Sequence, residues 1–264
     1  MDGLTRMPYA LSLLMSLLAG SLALAEIAPQ SSPVDPLRSP MWTVMHERVL
    51  EGLPYVFDER VQVLAPSAAE NPANVPVMVR VAELPDVQRM VVFTDLNPIQ
   101  KVLEYLPERL SASIGLRLKL EQASPVRAAV LTNEGVWHVG GVWVDAAGGG
   151  CTAPSNGRAQ GNWAETLGDI SYRTWGEEDR LRRLRVRVMH PMDTGLAPGI
   201  PAFYIERLEL HDEEGELLGR LLTYEPISEN PFFTLDFGEG ERAVRVVRLS
   251  GRDINGNRFE QTIE

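Results

Sequence analysis

Residues 126–144 read VRAAVLTNEGVWHVGGVWV, and they hold the clearest structural signal in the chain. Two valine-rich runs, Val126 to Leu131 and Val136 to Val144, flank the turn-forming residues Thr132 to Gly135. β-Branched residues favour extended backbone, and a short polar loop with a glycine joins two antiparallel strands closely. The stretch therefore predicts a β-hairpin.

Short runs of the same kind lie on both sides of the hairpin, with prolines and polar turns between them. Closely spaced short strands of this type are typical of antiparallel sandwiches. One segment, Met41 to Leu50, instead carries Trp42, Met45 and Val49 at helical spacing, which predicts a short amphipathic helix with a structural role. The further predicted strands are Val61 to Leu64, Val75 to Val81, Met90 to Phe93, Ser111 to Leu120, Leu181 to Val188, Phe203 to Leu210, Glu216 to Leu222, Phe232 to Phe237, Val244 to Leu249 and a last strand that ends near Ile263.

Residues 148–180 separate two groups of predicted strands. They begin with three glycines and Cys151 and continue in polar sequence. Because glycine runs sample many backbone conformations, this change of composition indicates a domain boundary. The sequence therefore predicts an all-β protein with two immunoglobulin-like antiparallel β-sandwich domains, at 35–147 and 181–264, joined by a glycine-rich flexible segment and linker at 148–180.

The N-terminus has the features of a secretory signal peptide. Arg6 precedes a run of apolar and small residues from Ala10 to Ala25, which ends in Ala-Leu-Ala. This run is shorter than the roughly 20 apolar residues of a membrane span. We expect residues 1–25 to be cleaved and the mature protein to be exported; an uncleaved N-terminal anchor is the alternative.

The net charge and the cysteine content narrow the range of possible functions. The formal net charge of −11 argues against nucleic acid as a partner, since phosphate binding needs a basic surface. A single cysteine cannot close an internal disulfide, so an exported chain of this kind depends on its core for stability. A lone thiol in an oxidising compartment is either buried and inert or kept for its chemistry.

Cys151 follows Gly148, Gly149 and Gly150 directly. Such a flexible segment is not expected to hold a buried core cysteine, and it is a poor place for a catalytic nucleophile, which needs a fixed geometry. Mobility would instead let the thiol enter the active site of a partner. From the residues alone, a covalent carrier, an intermolecular disulfide and an inert linker cysteine remain open.

Several motifs extend this interpretation. Val61 to Pro66, Ala69 to Asn71 and Val75 to Val77 are followed by Gly149-Gly150-Cys151 in the first half. The second half contains His190-Pro191-Met192-Asp193-Thr194-Gly195, Ile200 to Ile205, Asn230-Pro231-Phe232-Phe233 and Asp253 to Asn257. In these residues the chain resembles the two subunits of the periplasmic sulfur-oxidation carrier, SoxY followed by SoxZ, fused as in the variety associated with quinoprotein dehydrogenases.

The resemblance implies a function as well as a fold. It implies a periplasmic carrier, not an enzyme, that holds sulfur-based, thiosulfate-derived intermediates covalently on Cys151. Gly148, Gly149 and Gly150 would form the flexible arm, with no metal or other cofactor. The implied partners are periplasmic sulfur-oxidation enzymes or a quinoprotein dehydrogenase system, and the two halves would pair with each other. The alternative is a non-covalent accessory module that docks on a quinoprotein dehydrogenase or its cytochrome.

The chain departs from the family pattern after the cysteine. Thr152-Ala153-Pro154 replaces the Gly-Gly that closes the motif in SoxY, and the chain continues into the second half. An arm fixed at both ends reaches less far than one with a free end, because Gly148 to Cys151 spans only about 10–15 Å when extended.

Two other groups of residues offer alternative interpretations of the function. Met189 to Met192 and the group Met41, Met45 and His46 contain soft ligands suited to copper(I), but we expect the first to form a turn and the second to pack in the helix. The alternating Arg183, Arg185 and Arg187 could face an acidic partner, although pairing with acids on a neighbouring strand is the favoured interpretation.

Overall fold

Fifteen strands and one α-helix make up the part of the chain that the computed structural model describes, residues 34–157, 163–177, 180–238 and 247–264. The predicted signal peptide, residues 1–25, and the first residues of the predicted strand from Val244 lie outside the described residues. No helix in the described ranges is long and apolar enough to cross a membrane.

The described secondary structure is almost entirely β-strand. The first half contains α1 (Trp42–Val49), β1 (Tyr55–Phe57), β2 (Val61–Leu64), β3 (Val75–Val81), β4 (Val87–Thr94), β5 (Lys101–Leu106), β6 (Leu110–Leu118), β7 (Ser124–Thr132) and β8 (Trp137–Val144). The second contains a 3₁₀ helix (Trp163–Glu165), β9 (Ile170–Glu177), β10 (Arg180–Val188), β11 (Ile205–His211), β12 (Leu217–Thr223), β13 (Phe232–Phe237), β14 (Val247–Asp253) and β15 (Arg258–Ile263).

The all-β prediction is confirmed, with the hairpin β7–β8 and the helix α1 where the sequence places them. Three strands were not predicted: β1, β5 and β9. Strand β9 lies in the range expected to be a flexible linker, and it pairs along its length with β10. The prediction that all of 148–180 is linker is therefore corrected, because Ile170, Tyr172 and Thr174 belong to an antiparallel ladder.

The strands form two sheets. The nine-stranded sheet has the order β1-β8-β7-β4-β5-β12-β11-β14-β15, and the six-stranded sheet has the order β2-β3-β6-β13-β10-β9. Among these named strands all ladders are antiparallel except that of β1 with β8. Buried side chains of both sheets form one main core.

Both sheets continue from the first half of the chain into the second. Strand β5 pairs with β12, with Tyr105 opposite Leu221, and β6 pairs with β13, with Ile114 opposite Leu235. All four of these side chains are fully buried. The halves are therefore joined by two β-ladders and a common core, and residues Pro33–Glu264 form one compact unit. The sequence predicts only a linker between the halves and does not indicate these shared ladders or the common core.

Helix α1 covers the outer face of the nine-stranded sheet. Trp42, Met45 and Val49 pack against Phe93 and Trp137 in a second, smaller core. The middle of two strands, Met90 to Phe93 in β4 and Ala128 to Val130 in β7, is consequently buried on both faces. This explains why apolar residues follow one another there, where a half-exposed strand would alternate.

The arginines of β10 are only partly paired with acids. Arg183 forms an ion pair with Asp236 on the neighbouring β13, as predicted. Arg185 donates instead to the hydroxyl of Thr234. Arg187 has no carboxylate within 4.0 Å among the described residues, and its guanidinium lies 5.4 Å from the ring centre of Phe232. The prediction of acid pairing therefore holds for one of the three.

Candidate functional site

Cys151 lies in a tight turn at the junction of the two halves. Its side chain is fully buried, with Sγ 3.8 Å from the carbonyl oxygen of Lys119. The expectation that the glycine run prevents a buried cysteine is wrong. Residues 148–157, called the cysteine segment below, follow a defined path along the loop after β6.

The glycines are needed for close backbone approach. A Cβ on Gly150 would lie 2.3 Å from the carbonyl oxygen of Pro72 and 2.5 Å from that of Leu120. Gly148 and Gly149 have φ values of 103° and 81°, in the region that favours glycine. The amides of Gly149 and Gly150 donate to the carbonyl oxygens of Glu121 (3.3 Å) and Leu120 (3.1 Å) in the loop after β6. Glycine composition here reflects steric fit as well as conformational freedom.

The Glu121 carboxylate fastens the turn from the first half. It accepts hydrogen bonds from the amides of Cys151 (3.0 Å) and Thr152 (3.1 Å) and from the Thr152 hydroxyl (3.1 Å). The Glu121 amide in turn donates to Asn97 Oδ1 at 2.9 Å. Hydrogen bonds to a charged acceptor are among the stronger ones in proteins, so this carboxylate is the main anchor of the thiol-bearing turn.

The second half supplies the other side of the site. The Thr194 hydroxyl donates to the Cys151 carbonyl, and the Lys119 ammonium donates to the Met192 carbonyl. His190 holds this loop in shape, because its Nδ1 accepts the Met192 amide at 3.1 Å. The His-Pro-Met-Asp-Thr-Gly motif therefore supports Cys151 directly.

A second carboxylate holds the end of the cysteine segment. Glu229 accepts the amides of Asn156 and Gly157, both at 2.7 Å. Its neighbour Asn230 accepts the His190 amide at 3.1 Å and so links the two motifs of the second half. The cysteine segment thus belongs to neither sheet and is held by one carboxylate from each half.

Burial makes the Cys151 thiol a weaker acid than an ordinary cysteine thiol. It raises the pKa of Cys151 to about 12; Lys119 opposes this shift and Glu121 adds to it. Burial also lowers the pKa of Lys119 to about 8, against the attraction of Cys151, Asp193 and Glu229. Since the thiolate is the nucleophile, Cys151 is unreactive in this closed conformation near neutral pH.

A polar cavity of about 520 Å³, called the junction pocket below, lies beside the turn. Gly150 and Ala153 border it on either side of Cys151. Its charged lining includes Arg117, Lys119, Arg187 and Glu229. The cavity therefore lies between the halves and next to the cysteine.

Two family models match this chain: residues 46–151 match "Sulfur oxidation protein SoxY" and residues 173–264 match "Sulphur oxidation protein SoxZ". The chain is a SoxY–SoxZ fusion. The SoxY match ends at Cys151. The SoxZ match contains Thr194, which donates to the Cys151 carbonyl, and Glu229, which holds the end of the cysteine segment.

Comparison with solved structures includes "Structure of the sulfur carrier protein SoxY from Chlorobium limicola f thiosulfatophilum". That chain is 24% identical with a TM-score of 0.36, and the match covers 40% of this chain and 96% of the other. None of the curated proteins matches in sequence.

The soft ligands of the SoxZ domain have structural partners. Met192 Sδ accepts the amide of Ile205 at 3.4 Å, and His190 Nδ1 accepts that of Met192. In the SoxY domain, Met45 is fully buried and His46 Nε2 lies 2.8 Å from the Leu53 carbonyl. Within the described ranges no three His, Cys, Asp or Glu residues cluster as metal ligands would.

The anchors of the cysteine were only partly visible in the sequence. Thr194 and Glu229 fall in or beside motifs that carry the resemblance to SoxZ. The sequence does not indicate that Lys119 and Glu121 contact the cysteine segment, because they resemble the polar end of an alternating strand. Lys119 is buried in the structure, where its ammonium donates to the Met192 carbonyl of the other half.

Replacing Gly150 by alanine should open the turn. The added Cβ overlaps two backbone oxygens, and overpacking of this kind costs about 1–3 kcal/mol, so we expect Gly150→Ala to raise the rate of Cys151 alkylation by about 10- to 100-fold. Gly135→Ala is the control, since it strains a left-handed turn glycine (φ 73°) with open space around its Cβ. Equal rates in wild type and Gly150→Ala, measured by mass spectrometry of the iodoacetamide product, would contradict the closed turn.

Proposed function

We propose that this SoxY–SoxZ fusion is a periplasmic carrier that holds sulfur-based intermediates covalently on Cys151 and presents them to partner enzymes. The observation that carries the proposal is the attachment of the cysteine segment. Its anchors are Glu121, Thr194 and Glu229, at the junction of the halves, and none is part of a sheet ladder. The segment can detach without loss of a strand from either sheet.

Two states follow from this arrangement. In the closed state the thiol is buried and protonated, which protects it from oxidation in an oxidising compartment. In the open state Cys151 regains the ordinary thiol pKa of about 8.5 and can enter a partner's active site. Gly148, Gly149 and Gly150 serve as the arm in the open state and allow close packing in the closed one.

The loading step is an oxidation. A thiosulfate-type donor would join its terminal sulfur to Cys151: Cys–SH + ⁻S–SO₃⁻ gives Cys–S–S–SO₃⁻ + H⁺ + 2 e⁻. The two electrons pass to a redox protein and the proton to solvent. The chain supplies the attachment point and its protection, and partner enzymes supply the redox and hydrolytic chemistry, so the chain acts as a carrier and not as an enzyme.

The paired SoxY and SoxZ domains imply partners from a sulfur-oxidation system. The family matches give no support to a quinoprotein dehydrogenase as partner, so the proposal is confined to sulfur chemistry. Export through the predicted signal peptide would bring the chain to the same compartment as those enzymes.

Intact-mass spectrometry tests the proposal. Protein isolated from its host without reductant should carry sulfur or thiosulfonate adducts that reductant removes and that are missing from Cys151→Ser. The same variant should abolish flux through the host's sulfur-oxidising pathway. If Cys151→Ser shows unchanged flux, the carrier function is wrong and the non-covalent docking module replaces it.

A further inference from the structure

The junction pocket has an excess of positive charge within an acidic protein. Arg117 comes from β6 and Arg187 from β10, which are the two neighbours of β13 in the six-stranded sheet. Their guanidinium groups lie 5.3 and 5.4 Å from the ring centre of Phe232. The chain as a whole carries a formal net charge of −11, so this concentration of cations is a local feature of the pocket.

Neither guanidinium group forms an ion pair with a residue that the structure describes. In the described ranges no carboxylate lies within 4.0 Å of Arg117 or Arg187. Glu229 is the acidic residue among the described pocket lining, and both its oxygens are occupied by the amides of Asn156 and Gly157. An anion entering the pocket would therefore meet cations without competition from a paired acid.

Three buried polar atoms of the lining have no hydrogen-bond partner within the part of the chain that the structure describes. They are Arg187 Nε, Ser155 Oγ and Ser228 Oγ. The Ser228 side chain is almost fully buried, with the residue 1% exposed, and Ser155 is 8% exposed. Buried polar groups are nearly always paired in native proteins, so these three atoms are available as donors to a group that accepts hydrogen bonds.

We propose that the junction pocket binds a sulfur oxyanion group, –SO₃⁻, held by Arg117, Arg187 and Ser228. A planar guanidinium offers two parallel N–H donors to an oxyanion, and hydroxyl groups donate to its remaining oxygens. This deepens the proposed function and rests on it for one source of the group, the sulfonate end of cargo on Cys151. The other source is a free sulfur oxyanion. Gly150 and Ala153, on either side of Cys151, border the pocket, so the pocket adjoins the turn that would carry the attached group.

Calorimetric titration of Cys151→Ser with methanesulfonate tests the pocket without covalent loading. We expect saturable binding that weakens as salt rises, and none with the neutral dimethyl sulfone. Adding Arg117→Gln and Arg187→Gln should raise the Kd at least about tenfold, because charged hydrogen bonds are lost. Arg183→Gln with Arg185→Gln is the matched control, since it removes the same charge from the same six-stranded sheet and should leave the Kd within about twofold.

Ser228→Ala provides a milder variant in case the double arginine change disturbs folding; it should weaken binding several-fold. No binding of methanesulfonate by Cys151→Ser, or equal Kd values for the two double-arginine variants, would overturn the proposal. Wild type loaded with thiosulfate distinguishes the sources: loss of methanesulfonate binding assigns the pocket to attached cargo, and retained binding assigns it to free oxyanions. Absence of adducts on Cys151 would contradict the carrier function and leave the titration of Cys151→Ser unaffected.

Discussion

Cys151 in the native protein should react with iodoacetamide about 10³-fold more slowly than the same residue in the urea-unfolded chain at pH 7.5. An ordinary thiol has a pKa of about 8.5, whereas burial raises that of Cys151 to about 12, so the thiolate population falls by roughly three orders of magnitude. The side chain is also inaccessible in the closed turn. Alkylation followed by intact-mass spectrometry in the presence and absence of urea measures the ratio.

The direction of the pH effect follows from the same shift. A thiol whose pKa is raised in the closed state stabilises that state below pH 8.5, and this contribution is lost as pH rises toward 12. Glu121→Ala should increase the native rate at least about tenfold, because three hydrogen bonds to the carboxylate are lost. Glu134→Ala, an exposed glutamate in the β7–β8 turn, is the control. A native rate within tenfold of the unfolded one would show that the arm is free.

The glycine run shows where sequence reasoning was insufficient. Glycine is used both where the chain must move and where backbones must touch, and composition does not separate these uses. At Gly150 the deciding contacts are the carbonyls of Pro72 and Leu120, which are distant in sequence. The position of Cys151 could therefore be identified from the motif, but its burial could not.

The individual strands of the fold could be predicted from the sequence, but the pairing between the two halves could not. Hydrophobic alternation and the turn at Thr132 to Gly135 predict individual strands, because those signals are local. The pairing of β5 with β12 and of β6 with β13 depends on edges that meet only in three dimensions. Strand β5 shows no strong alternation and was missed, although it forms half of one of these joints.

Arg127 should be the most sensitive charged residue for stability. It lies in the hairpin strand β7, with its side chain 1% exposed. Its guanidinium bonds both oxygens of Asp95 at 3.0 Å and Asp35 Oδ2 at 2.7 Å, and it lies 4.6 Å from the ring centre of Trp42. Arg127 therefore ties the segment before α1 to the outer face of the nine-stranded sheet.

Replacing it with methionine keeps much of the volume but leaves two carboxylates buried without their cation. We expect Arg127→Met to lower the free energy of unfolding by about 3–5 kcal/mol, measured by urea denaturation at pH 7.5. Burial already raises the pKa of Asp95, and loss of the cation would raise it further. A carboxyl whose folded pKa exceeds its unfolded value favours folding at low pH, so the loss should shrink between pH 7.5 and pH 5.

Arg60→Met is the matched control, because Arg60 pairs with Asp58 at 2.7 Å with its side chain 46% exposed. Solvent screens such a pair, so its removal should leave the unfolding midpoint within experimental error. If Arg127→Met and Arg60→Met unfold at the same urea concentration, the buried pairs of Arg127 do not hold α1 in place. In that case the apolar contacts of Trp42, Met45 and Val49 alone would account for the attachment of the helix.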